Sequence, residues 1–334
     1  MHCFQYGREE APELEKLCKK VIYYKRSKYR NPFIGNVPYI VLTRNNEALL
    51  ENLCKDQAPI LFEGMHTTFF LNHSRLKDRI KLVRNHNIEH DYYKNLELVE
   101  SNYFKKYFFR NESDNLKHYE KILKHASKVL AISPSDNQYL NKKYHNSMLV
   151  PAFHAQDGVS SSKGTGKFIL YHGNLGVGEN NFAALYLVND VFSKLDIPCV
   201  IAGSNPSDEL KKALIKYPHI KLVDNWNNEQ IMDAVAKAQI NVLPTFQGTG
   251  IKLKLLNALY AGRYCLVNTL MVKNTTLEVA CIISENAEGM VLDIKKYWKT
   301  PFGEREIEER KTVLDKSIFS NVKNAQLIVE MLGF

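Results

Sequence analysis

Residues 240–268 read INVLPTFQGTGIKLKLLNALYAGRYCLVN, and this stretch decides the fold. Ile240–Leu243 is a short apolar run of strand length. Pro244–Gly250 is a loop with two glycines. Ile251–Ala261 carries apolar residues at helical spacing, and Gly262 stands where a helix ends. Tyr264–Asn268 is a second apolar run. Strand, helix and strand within about 30 residues make a parallel βαβ unit.

The same alternation extends on both sides. Upstream lie the apolar run Lys167–His172 (KFILYH), the turn Gly173-Asn174-Leu175-Gly176 and a helical pattern over Asn181–Leu195. Pro198–Gly203 follows as a strand, Ser207–Lys216 as a helix opened by Ser207 and Asp208, and Ile220–Val223 as a strand. Asn228–Ala238 is a helix, and Cys281–Ser284 reads as a further strand. Such alternation predicts a parallel sheet covered by helices on both faces. The first half alternates with longer loops. Its expected strands are Val21–Tyr24, Tyr39–Thr43, Ile60–Glu63, Lys81–Arg84 and Lys128–Ile132. A long helical region covers Tyr92–Ala126, and its aromatics Tyr103, Phe104, Tyr107 and Phe108 recur every four residues. Their spacing reads as a packed helix face rather than a stacking platform for bases. Asp157–Lys167 is rich in glycine and serine and reads as a linker, and Lys316–Leu332 reads as an amphipathic helix. The expected organisation is a first α/β domain over 1–156, a linker over 157–166, a second over 167–315 and a C-terminal helix over 316–334 that packs back on the first. Both domains are expected to be doubly wound, Rossmann-like and to face each other across a cleft.

The 334 residues suffice for two such domains, and 45% hydrophobic against 24% charged residues is a globular composition. No apolar run reaches the ~20 residues of a bilayer span. The N-terminus lacks the order of a signal peptide, so a cytoplasmic location is expected. The six cysteines form no Cys-x-x-Cys pair and read as buried free thiols. Residues 1–162 hold 25 Lys and Arg against 18 Asp and Glu, whereas residues 163–334 hold 20 against 18. The basic first half suits phosphate ligands or the peripheral contact of an anionic membrane. No recognition motif for nucleic acid accompanies it.

Ligands of open parallel sheets bind beyond the carboxyl ends of the strands. Gly173 and Asn174 follow one expected strand end, Gly203 another, and Thr249, Gly250, Lys252 and Lys254 the loop after Ile240–Leu243. Glycines admit close backbone approach, and free amides at a helix start favour a phosphate. Lysines in a first helical turn are otherwise unfavourable, so a bound diphosphate accounts for them; a tight turn with exposed lysines is the other reading. The loop lacks the Walker pattern, and no Gly-x-Gly-x-x-Gly follows a first strand. In the first half Arg84, His86, Asn87 and Glu89 crowd one strand end, a set able to bind a hydroxylated acceptor. His66 follows another strand end, with Glu63 as its orienting partner or as a partner for a basic neighbour. The His and Cys spacing matches no zinc site, so no metal is expected.

Residues 167–270 resemble the donor domain of GT-B glycosyltransferases, particularly the family 4-like group of bacterial polysaccharide and glycolipid biosynthesis. The matching stretches are Tyr171-His172-Gly173-Asn174-Leu175, Ile201-Ala202-Gly203 and Gly248–Gly262 followed by Leu266-Val267. The first half resembles the acceptor domain through Val83–Glu89 and Leu130–Ser133. The resemblance implies a nucleotide diphosphate sugar as donor, a glycan or lipid-linked acceptor, retention of configuration, and a leaving group held without a metal or other cofactor. Two departures stand out. Asn257 occupies a position where such proteins often carry a ribose-binding glutamate. Met1–Phe4 reads as the end of a second strand, as if the first strand–helix unit were missing. These departures keep open a non-catalytic, truncated or degenerate protein of this fold, and a nucleotide-sugar epimerase is a more distant alternative. Sugar, base, linkage and oligomeric state are not encoded in the motifs.

Overall fold

The computed structural model describes residues 1–7, 9–27, 37–100, 102–246, 253–273, 275–314 and 318–334. The chain divides into two compact units, Met1–Val150 with Ile328–Phe334, and Pro151–Leu327.

In the first unit the strands are β1 (His2–Gln5), β2 (Ile22–Lys25), β3 (Ile60–Glu63), β4 (Lys81–Asn85), β5 (Lys128–Ala131) and β6 (Ser147–Leu149). Its helices are α1 (Pro12–Leu17), α2 (Tyr39–Leu42), α3 (Glu47–Leu53), α4 (Glu89–Val99), α5 (Tyr103–Tyr119) and α6 (Pro134–Tyr144). β1 pairs with β2, and β3 to β6 form a second sheet in sequence order; every pair is parallel. Leu82, Val83, Val129 and Leu130 are fully buried at its centre. The register sends the backbone groups of His2 and Phe4 away from β2, and those of Leu61 and Glu63 away from β4. Both of these edges line one cavity of about 620 Å³.

The sequence reading of this unit needs three corrections. Tyr39–Leu42 is a helical turn, not a strand. The buried Glu112 carboxylate accepts from Tyr39 N and Ile40 N, each at 2.8 Å, and so satisfies two amides that begin a helix. The long helical region is two helices, α4 and α5, followed by a 3₁₀ turn over Glu120–His125. Tyr103 and Phe104 are not packed: they are 87% and 88% exposed, whereas Phe108 and Phe109 turn inward, toward Tyr39 and Tyr93.

The second unit contains β7 (Ile169–His172), β8 (Cys199–Ala202), β9 (Ile220–Val223), β10 (Ile240–Val242), β11 (Tyr264–Val267) and β12 (Ile282–Ile283). Its helices are α7 (Gly178–Tyr186), α8 (Asp208–Leu214), α9 (Asn228–Lys237), α10 (Leu253–Ala261), α11 (Thr269–Val272), α12 (Ala287–Trp298) and α13 (Glu304–Leu314), and α14 (Asn321–Met331) closes the chain. The sheet order is β12-β11-β10-β7-β8-β9, all parallel. β7, β8, β10 and β11 are buried along their whole length, because helices cover both faces. The helix expected over Asn181–Leu195 begins earlier, at Gly178, and loosens into a π turn at Leu187–Val191. Residues 157–166 are hydrogen-bonded within this unit: Ser160 N donates to Tyr260 O and Gly164 bridges Phe302. All six cysteines are free; Cys199 and Cys265 are buried, whereas Cys3, Cys18, Cys54 and Cys281 are only half-buried.

Candidate functional site

In the second unit the strand order turns back between β7 and β10, so their carboxyl ends flank the crevice where ligands of such sheets bind. β7 delivers Gly173 and Asn174 to that edge, and β8 delivers Gly203. A side chain on Gly203 would fall inside contact distance of the Gly173 carbonyl oxygen, so glycine lets the two strand ends close on each other. Asn174 shapes the turn: its Oδ1 accepts from Gly176 N at 3.0 Å, and its carbonyl accepts from Asn180 Nδ2 at 3.0 Å.

The other oxygen-bearing end of Asn180 holds the key cation. Lys254 Nζ, near the start of α10, donates to Asn180 Oδ1 at 3.1 Å and lies 5.2 Å from the Tyr171 ring centroid. One amide side chain on α7 thus fixes a lysine beside the Gly173–Asn174 turn. The α7 N-cap, Val177, supplies no side-chain cap to the first-turn amides. Amides and ammonium therefore face one edge, a combination that suits a phosphate. Asn257 is half-buried three residues further along α10, on the same side of the helix as Lys254.

The loop after β10 is anchored at its start. Thr245 N donates to Asn268 Oδ1 at 3.1 Å, Asn268 Nδ2 donates back to Thr245 O at 2.7 Å, and the Thr245 hydroxyl donates to Glu179. Phe246 packs edge-on against Phe182 and Tyr186 of α7. Thr249, Gly250 and Lys252 lie outside the described residues. His172 is buried, and burial followed by the charge of Lys254 pushes its pKa down to about 4. It is neutral at physiological pH.

In the first unit the expected acceptor residues gather at the carboxyl ends of β3 and β4. Glu63 ends β3, and its Oε1 accepts from His86 Nε2 at 2.5 Å and from Arg84 Nη1 at 3.1 Å. Burial raises the Glu63 pKa, but the His86 hydrogen bond and the Arg84 charge outweigh it and keep the group a carboxylate. Glu63 is therefore tied to His86 and Arg84, and no hydrogen bond joins it to His66 among the described residues. Gly64 adopts φ +87°, and a side chain there would collide with the His66 ring. Burial and then the Arg44 charge push the His66 pKa down to about 4. Glu89 opens α4 and is buried; burial lifts its pKa to about 7, with His86 and Arg44 acting in the opposite direction. It can hold or release a proton near neutrality.

Two contributors, Arg44 and Asn180, were missed in the sequence, and one was named without its role. Glu63 was left undecided between partners. Arg44, whose Nη1 donates to Ile40 O at 2.5 Å, bears electrostatically on both His66 and Glu89. Asn180 sits 74 residues from the lysine it orients. No local signal marks any of them, because each acts through a partner distant in sequence. Among the described residues, no group of three or more His, Cys, Asp or Glu side chains could hold a metal ion, and no helix is long and apolar enough to cross a membrane.

Residues 166–298 match the family model described as glycosyl transferases group 1. A 44.6 kDa protein of the cps region of Klebsiella pneumoniae is 28% identical over 299 residues, covering 84% of this chain and 74% of that protein. Among solved structures, sucrose-phosphate synthase of Thermosynechococcus elongatus aligns with a TM-score of 0.66 at 14% identity, covering 97% of this chain and 84% of the synthase. S. aureus TarM, solved with fondaparinux, alpha-GlcNAc-glycerol and UDP, aligns with a TM-score of 0.63 at 13% identity. There the match covers 89% of this chain but only 59% of TarM. The family model thus covers much of the second unit, and the solved structures show the GT-B fold over nearly the whole chain.

Proposed function

We propose that this protein transfers a sugar from a nucleoside diphosphate sugar to a hydroxyl of a glycan or lipid-linked acceptor, with retention at the anomeric carbon. The observation that carries the reading is the Lys254 ammonium, fixed by Asn180 beside the Gly173–Asn174 turn at the switch point of the sheet. It lies within the stretch that matches the group 1 family model.

In this reading the bond from the anomeric carbon to the diphosphate oxygen breaks, and negative charge grows on the departing diphosphate. Lys254, Lys252, the amides at the start of α7 and the loop of Thr249 and Gly250 oppose that charge, with Gly203 letting the backbone close in. Such preorganised groups stabilise a leaving anion without a metal or an organic cofactor. Asn257 contributes hydrogen bonds to the ribose but no charge. The acceptor oxygen forms the new bond and passes its proton to the departing diphosphate oxygen, whose charge it neutralises. Arg84 and His86, held by Glu63, bind acceptor hydroxyls, and Glu89 with His66 completes that edge. UDP in the TarM structure makes uridine diphosphate sugars the first donors to try. Nucleotide sugars are supplied in the cytoplasm, which sets the expected location, and a cps-region relative fits surface polysaccharide synthesis.

The test incubates the protein with a panel of nucleotide sugars and lipid-linked or oligosaccharide acceptors. Acceptor-dependent release of nucleoside diphosphate, with the donor's anomeric configuration kept in the product, is expected. A donor converted to a new sugar without any acceptor would replace this reading with epimerisation. Binding of donor without turnover on any acceptor would replace it with a non-catalytic role.

A further inference from the structure

The α4–α5 hairpin of the first unit carries a feature that sugar transfer does not use. At its tip three large apolar side chains stand in solvent: Leu98 at 67% exposure, Tyr103 at 87% and Phe104 at 88%. Tyr103 and Phe104 occupy the first two positions of α5, where the helix is fixed by Asn102, whose Oδ1 accepts from Phe104 N and Lys105 N at 3.1 Å each. The start of α5 is therefore formed, and it presents its aromatics outward. Three such exposed side chains together are unusual on a soluble surface and mark an interaction site.

The charges around them select the partner. Lys105 is exposed and Lys106 half-exposed, directly after the two aromatics. Behind them Lys94 and Arg110 each lie 2.8 Å from opposite oxygens of the buried Glu97, so that one carboxylate faces two cations. Glu100 is turned to the backbone, accepting from Asn102 N at 2.9 Å. The tip thus offers an aromatic–aliphatic cap with a cationic collar. Tyrosine and phenylalanine settle at the boundary of headgroups and acyl chains, while lysines reach back to lipid phosphates.

We propose that the α4–α5 tip is a docking element for an anionic lipid bilayer, with Leu98, Tyr103 and Phe104 entering the headgroup boundary and Lys105 and Lys106 pairing with lipid phosphates. It stands independently of the sugar-transfer reading, because its test requires no turnover. The test is sedimentation of the full chain with extruded vesicles of phosphatidylcholine, with and without about one-third phosphatidylglycerol, over about 0.05 to 0.5 M NaCl. Wild type should bind the anionic vesicles and lose binding as salt rises. Lys105→Glu with Lys106→Glu should weaken binding at low salt by at least about ten-fold, given the worth of each cation near a charged surface. Tyr103→Ser with Phe104→Ser should weaken it at every salt concentration. These side chains are exposed, so circular dichroism should be unchanged; Phe104→Ser alone is the milder variant should the pair unfold. Absence of wild-type binding, or binding that neither pair of substitutions changes, overturns the proposal. So does light scattering that shows a vesicle-free dimer abolished by the serine variants, because the tip would then face a second copy of the chain.

Discussion

Replacing Glu89 with glutamine should stabilise the first unit at alkaline pH and leave it unchanged in acid. Glu89 is buried at the start of α4, and burial lifts its pKa to about 7. In the unfolded chain it titrates near the ordinary glutamate value of about 4.3. The folded state therefore holds the proton more tightly. Between these two values the native protein binds more protons than the unfolded one, and stability falls as pH rises. Below pH ~4 both states are protonated and nothing is lost. Above pH ~7 the full penalty applies, about 2.7 pH units at 1.36 kcal/mol each, or about 4 kcal/mol as an order of magnitude. Glutamine resembles the protonated acid and carries no such penalty. His66 titrates over much of the same range with the opposite sign, since its folded pKa is depressed to about 4. Wild type alone would blur the two, but the difference between variant and wild type isolates Glu89. Urea unfolding at pH 3.5 and pH 8.5, followed by fluorescence, measures it. The variant should match wild type in acid and gain about 4 kcal/mol in base. A difference that does not change with pH would refute the reasoning, because it would show that the carboxyl is not forced to ionise in a buried setting.

Further outcomes follow from the same geometry. Gly203→Ala places a methyl against the Gly173 carbonyl, so the second unit should lose about 2–3 kcal/mol and several degrees in melting temperature; a neutral effect in calorimetry would mean that the two strand ends do not meet as described. Glu120→Ala removes the acceptor shared by Lys143 at 2.6 Å, Tyr144 at 2.8 Å and Tyr139 at 2.9 Å and should cost about 3 kcal/mol at neutral pH in urea unfolding. Burial raises the Glu120 pKa, but those donors and His90 outweigh it and hold it at about 2, so its contribution is present above pH ~4.5 and fades as pH falls toward 2. Glu63→Ala should release His86 and Arg84 and raise KM for the acceptor more than for the donor, measured by initial rates with each substrate varied in turn.

Much of the second unit was legible because its signals are local. An apolar run that ends in Gly173, or a helix that ends at Gly262, states its own boundary. β8 and β11 are buried on both faces and read as unbroken apolar runs, while β7 and β10 each carry one buried polar residue, His172 and Asn241. The first unit was less legible where distant residues decide. Tyr39–Leu42 has the β-branched, aromatic composition of a strand, and only Glu112, more than 70 residues away, supplies the carboxylate that turns it into a helix. The four-residue repeat of aromatics in α5 was real, but spacing gives a common face and not what covers it. The positions of Arg84, His86 and Glu89 at one strand end followed from topology. The pairing of Glu63 with His86 and Arg84 followed from register between β3 and β4, which sequence does not specify. Asn180 lay just before the helix expected from Asn181 and looked like any polar turn residue, and its value lies in facing Lys254 across two elements.

The most direct test is thermal unfolding with a panel of nucleoside diphosphates and nucleotide sugars, on wild type and on Lys254→Ala. Binding to the folded state raises the midpoint by mass action. One nucleotide class should shift the wild-type midpoint. The variant, lacking a cation worth up to about 4 kcal/mol against a phosphate oxygen at an effective dielectric constant of ~20, should need about a hundred-fold more ligand for the same shift. A wild-type protein that unfolds cooperatively with no shift from any nucleotide, or a variant that shifts as wild type does, would contradict the assignment of a diphosphate to this edge.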